Sequence, residues 1–160
     1  MKLRFPKTKF SFGATSAIIT NLGLITGLRN LQSAKISIIG GILAIALADN
    51  IADSFGIHIF QESELLAEKE VWFSTLTNFL TRIFVSSSFI LLVALLPLQI
   101  SVICSIFWGL FLLAILSYAI AKERKTNSFS MIFEHLLIAG AVITASSLLG
   151  SWLTVKFHLG

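Results

Sequence analysis

A chain of 160 residues that is 56% hydrophobic and 12% charged, with a mean hydropathy of +0.90, is too apolar for a soluble domain, in which about a quarter of the residues carry charge. The net charge of +4 sits between long uncharged runs, so it reads as membrane orientation rather than as a nucleic-acid surface. One cysteine, Cys104, lies in an apolar run and excludes an intrachain disulfide or a cysteine-based zinc site.

The N-terminus, MKLRFPKTKF, is basic. No short apolar core with a small-residue cleavage site follows, so the first span is expected to act as an uncleaved insertion signal. Residues 10–28 are uncharged, long enough to cross a bilayer at roughly 20 residues per helix. A span is predicted over 11–28. Its small and polar residues Gly13, Ser16, Thr20, Gly23 and Gly27 recur at three- and four-residue steps, so they share one face. Gly23-x-x-x-Gly27 permits close helix approach and predicts a dimer seam, with helix packing inside one chain as the plainer reading. Ser16, Thr20 and Asn21 are candidate pathway-lining residues.

A second span is predicted over 36–60, loosened at its start by Gly40 and Gly41. Residues 62–82 alternate apolar and polar groups at helical spacing, with Trp72, Leu76, Phe79, Leu80 and Ile83 on one side. They predict a short amphipathic helix lying at the interface. Residues 83–121 are uncharged, and Pro97 is their one strong break. Spans are predicted over 83–97 and 101–121. After the charged loop Lys122-Glu123-Arg124-Lys125, a last span is predicted over 130–155. The fold class is therefore all-α, a polytopic membrane protein with five transmembrane helices and one interfacial helix.

Lys2, Arg4, Lys7, Lys9, Lys69, Arg82, Lys122, Arg124 and Lys125 fall on one side of this topology, against Arg29, Lys35 and Lys156 on the other. The excess places the N-terminus in the cytoplasm and the C-terminus outside. No organelle-targeting segment is evident, which points to a prokaryotic plasma membrane.

The chemistry concentrates in the second span. Asp49 and Asp53 stand one turn apart, about 40° around the helix axis, where each carboxylate costs about 2.5–3.5 kcal/mol to insert. If the helix ran on, Glu64 and Glu68 would extend them as a ladder of oxygen ligands towards the cytoplasm. Carboxylates suit hard or borderline divalent cations. Two acids this close share protons, so an arriving cation displaces one. The plainer reading is a polar pair that fastens neighbouring helices, through Asn21, Thr20 or Ser16. His58 points about 130° away from Asp53 and reads as a packing histidine. No phosphate loop, nucleophile triad or paired histidine motif appears, so no enzyme is expected.

Two stretches, FGATSAIITNLGLITGL and GGILAIALADNIADSFGIHIFQESE, together with the ALLPL run at 94–98, resemble the vacuolar iron transporter family. The resemblance implies a homodimer of five-span protomers that exports Fe²⁺ or Mn²⁺ from the cytosol in exchange for protons. It also implies an Asp in the first span and a Met in the second along the path, and a cytosolic domain rich in Glu and Met. Here the first-span Asp falls at Ser16 and the Met at Asp53, and the domain shrinks to residues 62–82. That substitution favours all-oxygen ligation over a softer site. The expectation is a proton-coupled divalent-cation exporter, with the metal as cargo and no resident cofactor. The alternative is a membrane scaffold whose acids only stabilise packing.

Overall fold

The computed structural model describes residues 11–158, so Lys2, Arg4, Lys7 and Lys9 lie outside the described residues. Among the described residues the chain is helical throughout, with no strand: α1 (Ser11–Leu28), α2 (Ala34–Ala44), a π-helical turn (Ile45–Asp49), α3 (Asn50–Ser63), α4 (Glu68–Leu95), α5 (Leu98–Arg124) and α6 (Ser128–Phe157). The segment α2–π–α3 forms one 30-residue rod, Ala34–Ser63. Five rods are thus long and apolar enough to cross a membrane, where a helix satisfies every backbone donor and acceptor within itself. The protein is an all-α polytopic integral membrane protein.

Helix α1 is the axis of the bundle. Its buried residues include Ala14, Ile18, Asn21, Leu22 and Ile25, and it packs against α2, α4, α5 and α6. Around Ile18, Leu22 and Ile25 gather Ile38 and Ile42 of α2, Phe89 and Val93 of α4, Leu113 of α5 and Ala139 of α6. The outer faces carry exposed Phe84, Leu91, Phe107, Phe111 and Leu148, the lipid-facing arrangement expected where apolar surface needs no burial against protein.

The turns follow local rules. Leu96 and Pro97 are extended between α4 and α5, as the proline predicted, and Lys35 Nζ donates to the Leu96 carbonyl at 3.2 Å. Lys125 is left-handed at the end of α5. Asn127 Oδ1 caps α6 by accepting from the Phe129 and Ser130 amides at 3.0 and 3.4 Å. Arg29 donates to Ser147 Oγ and Asn30 to Ser151 Oγ, both at 3.0 Å. These contacts set the end of α6 beside the α1–α2 turn.

Two expectations are corrected. Residues 62–82 form no helix of their own, because α4 runs unbroken from Glu68 to Leu95. Its buried positions Val71, Ser74, Asn78, Arg82, Ser86, Phe89 and Val93 follow one face from end to end, while Trp72, Phe73, Leu76 and Leu80 are exposed. The amphipathic pattern is real and its apolar stripe faces outward, but the polar stripe turns to the bundle rather than to water. Nor do Gly23 and Gly27 offer a free seam. A methyl at Gly23 would meet Ser146 Oγ and Val142 of α6 at 3.2 Å, and one at Gly27 the Ser146 carbonyl at 3.4 Å. That face is filled by α6 of the same chain.

Candidate functional site: a charged cluster at membrane depth

The site is built by the α3–α4 hairpin against α1. Arg82 stands 13 residues before the end of α4, about 20 Å along the axis at 1.5 Å per residue. It is therefore well inside a hydrocarbon core of about 30 Å. Its side chain is 2% exposed. The guanidinium lies between two carboxylates: Nη2 donates to Asp49 Oδ2 and Nη1 to Asp53 Oδ2. Nη1 also donates to Ser16 Oγ of α1 at 2.8 Å, and Ser16 Oγ donates to Asp53 Oδ2 at 3.3 Å. Asp49 and Asp53 fall on one side of α3 because four residues separate them. The π turn ends at Asp49; such wider turns recur at functional sites in helices.

Two carboxylates and one guanidinium leave one negative charge, and that charge faces outward. The Asp49 side chain is 47% exposed and that of Asp53 33%. Burying the guanidinium is favourable only with both partners in place, since an unpaired buried charge is costly.

A polar seam continues from this cluster. Asn50 Nδ2 donates to the Phe79 carbonyl at 3.0 Å, Asn78 Nδ2 to Ser54 Oγ at 3.1 Å, and Gln61 Nε2 to Ser74 Oγ at 2.8 Å. Above Arg82, Asn21 Nδ2 donates to Ser86 Oγ at 3.0 Å. Asn21 Oδ1 and Asn78 Oδ1 are buried acceptors that receive no hydrogen bond. Asn78 lies one helical turn before Arg82, and Asn21 lies against Ser86, one turn after.

The structure therefore joins Asp49, Asp53 and Ser16 directly and places Asn21 next to them. Thr20 is half-buried and outside the cluster. The predicted ladder through Glu64 and Glu68 is not formed. Helix α3 ends at Ser63, Leu65 takes a left-handed φ of 56°, and Glu64 and Glu68 are exposed on the turn and at the start of α4. Among the described residues no three His, Cys, Asp or Glu side chains gather as a metal-binding group. A cation here would be held by the two carboxylates and neutral oxygens such as Ser16 Oγ.

The residue that sequence reading missed is Arg82, which it assigned to the cytoplasmic charges. Its signal was the four-residue spacing Ser74–Asn78–Arg82–Ser86, which sets these polar residues along one helix face. No family model matches the chain, and no curated protein or solved structure matches it.

Proposed function

We propose that the protein carries divalent cations across the membrane in exchange for protons, with Asp49 and Asp53 as both ligands and proton carriers. The observation that supports this is the surplus carboxylate: two acids share one buried guanidinium, so at bilayer depth the remaining charge calls for a proton or a cation. Arg82 is then a tethered competitor that holds the empty site. When a cation takes the carboxylates, the guanidinium turns to the unfilled acceptors Asn78 Oδ1 and Asn21 Oδ1. All-oxygen ligation selects hard or borderline ions of the Fe²⁺ or Mn²⁺ kind, the cargo that the vacuolar iron transporter resemblance implies. With Arg82 inside the bundle, eight Lys and Arg remain on the N-terminal side against three. The proposed orientation is unchanged: N-terminus in the cytoplasm, C-terminus outside, in a prokaryotic plasma membrane, with transport directed outward.

A second reading has its own support. Both acids already bond Arg82, which is what a static clamp in a scaffold protein requires. Uptake of Fe²⁺ and Mn²⁺ into vesicles under a pH gradient separates the two. The transport reading expects Asp49→Asn plus Asp53→Asn to lower uptake at least about tenfold, a loss of transition-state binding near 1.4 kcal/mol or more. Uptake that persists in the double variant removes these acids from the path, and no uptake of any divalent ion by the wild type favours the clamp.

The same reading includes a homodimer, now seated on the α2–α3 rod. Gly40, Ala44, Ala48, Ala52 and Gly56 recur every four residues and are all exposed, and a methyl at Gly40 or Gly56 would touch nothing within 4 Å. Four-residue steps drift about 40° each on an α-helix. The wider π turn sets part of that drift back, so the small residues stay on one side. Small-residue faces let membrane helices approach closely, and a second copy there would cover half-exposed Asp49. With Cys104→Ser as background, Ala48→Cys and Ala52→Cys are expected to form disulfide-linked dimers in membranes, whereas Gly23→Cys is not. The opposite pattern would return the seam to α1.

A further inference from the structure

We propose that a cleft between the α1–α2 turn and the first turns of α5 binds an anionic phospholipid, with Arg29 holding the phosphate. The cleft shares no residue with the Asp49–Arg82–Asp53 cluster, and its occupant is independent of whether those acids carry cargo.

Its walls divide by chemistry. The cleft holds about 450 Å³ and is lined by Arg29, Asn30, Leu98, Gln99, Val102 and Ile103. Arg29 and Asn30 follow directly on the end of α1 at Leu28, and Gln99 is the second residue of α5. All three are exposed, so the polar rim lies at the ends of the spans, where headgroups begin. Val102 and Ile103 stand one helical turn further along α5, about 5 Å deeper. Ile103 is 56% exposed, and exposed Phe107 and Phe111 follow it at four-residue steps. They form an apolar ridge that runs on into the bilayer. A polar rim above an apolar floor has the two-part chemistry of a lipid, with phosphate at one end and acyl chain at the other. A soluble anion would use only the rim.

The charge at this end of the bundle calls for an anion. Arg29, Lys35 and Lys156 stand on the α1–α2 turn, the start of α2 and the last turn of α6. No Asp or Glu side chain occurs on the turns 29–33 and 96–97 or over 147–158. Among the described residues none of the three cations forms an ion pair. The Lys35 ammonium rests on the Leu96 carbonyl at 3.2 Å, two residues before the lining Leu98. A zwitterionic headgroup would bring a further cation to this end, whereas an anionic one brings the missing charge. Basic pockets between membrane helices hold anionic headgroups for this reason.

Arg29 is prepared for a phosphate. Its Nη2 donates to Ser147 Oγ at 3.0 Å, and Asn30 beside it donates to Ser151 Oγ at 3.0 Å, so α6 fixes the direction of both. A guanidinium has five N–H donors. The Ser147 bond uses one of them, which leaves enough for the two-pronged contact that arginine makes with phosphate. Gln99, from α5, makes no side-chain hydrogen bond to another described residue, and its amide is available to the headgroup. Because Arg29 is tied to α6 and Gln99 belongs to α5, a lipid seated between them joins α6, the α1–α2 turn and α5.

Native mass spectrometry of the full chain in mild detergent tests this, with phosphatidylglycerol and phosphatidylcholine of identical acyl chains as probes. The first phosphatidylglycerol is expected to bind about tenfold tighter than phosphatidylcholine, the scale of one charge-assisted hydrogen bond. Arg29→Ala should remove that preference. Gln99→Glu should remove it too, by placing a carboxylate in the cleft. Position 99 is exposed and has no side-chain partner to lose, so this variant carries the test should Arg29→Ala fail to fold. Lys125→Ala, just past the other end of α5, should leave the preference unchanged. Equal binding of the two lipids, a preference that survives Arg29→Ala or Gln99→Glu, or one lost equally in Lys125→Ala overturns the site. Displacement of phosphatidylglycerol by millimolar inorganic phosphate overturns it as well, by showing that a free anion fills the rim.

Discussion

Replacing Arg82 with leucine is expected to cost about 3–5 kcal/mol, the penalty for removing one partner of a buried ion pair. Few proteins tolerate that, since folded states rest on margins of about 5–15 kcal/mol. The cause is electrostatic rather than steric. Leucine fits an apolar bundle, but it strands Asp49 and Asp53 at bilayer depth beside a Ser16 hydroxyl that has lost its guanidinium donor. The diagnostic variant is therefore the compensated one. Asp49→Asn, Asp53→Asn and Arg82→Leu together remove all three charges and should recover most of the lost stability, because a buried pair is worth little against neutral groups of similar volume. Thermal unfolding in mild detergent, read with the folded yield, measures both. An Arg82→Leu variant as stable as wild type, or a triple variant no better than the single one, would mean that the cluster does not anchor α4. The same series serves the transport reading: the triple variant keeps the fold but carries no ligand, so its uptake isolates function from stability.

The second large effect is expected at Gly150. A methyl there would lie 1.9 Å from the Gly27 carbonyl oxygen and 2.7 Å from its carbon. Those atoms are backbone of α1, so no side chain can swing away. Helix α6 would have to separate from the axis of the bundle along the seam that also holds Gly23, Gly27 and Ser146. Overpacking of this kind costs typically about 1–3 kcal/mol, and more where backbone must shift. Gly150→Ala should therefore lower the unfolding midpoint clearly and Gly150→Leu prevent folding, whereas Gly140→Ala on the same helix, where open space surrounds the added methyl, should change little. Equal tolerance at positions 150 and 140 would count against the α1–α6 contact. It would also reopen Gly23 and Gly27 as a surface for a second copy.

These two sites divide what was readable from what was not. Hydropathy and length determined the five spans, because lipid allows only helices long enough to cross it. Pro97 and the charged run at 122–125 marked the turns for equally local reasons. The sequence also determined that Asp49 and Asp53 share a face, since four residues nearly complete a helical turn. Partners were another matter. Periodicity states that two faces differ, not which neighbour each one meets. A polar stripe can turn to water at an interface or to protein inside a membrane. Residues 71–82 looked the same for both, until the helix proved continuous to Leu95. Arg82 thus moved from the end of an interfacial helix to the centre of the cluster. The Gly23–Gly27 pattern promised a close contact and gave one, with α6 rather than with a second copy. Glu64 and Glu68 lost their place when α3 ended at Ser63. Each of these was decided by contacts between segments distant along the chain: Arg82 with Asp49, Gly150 with Gly27, Asn21 with Ser86. Spacing within one helix carries no information about such pairings, which only the packed bundle supplies.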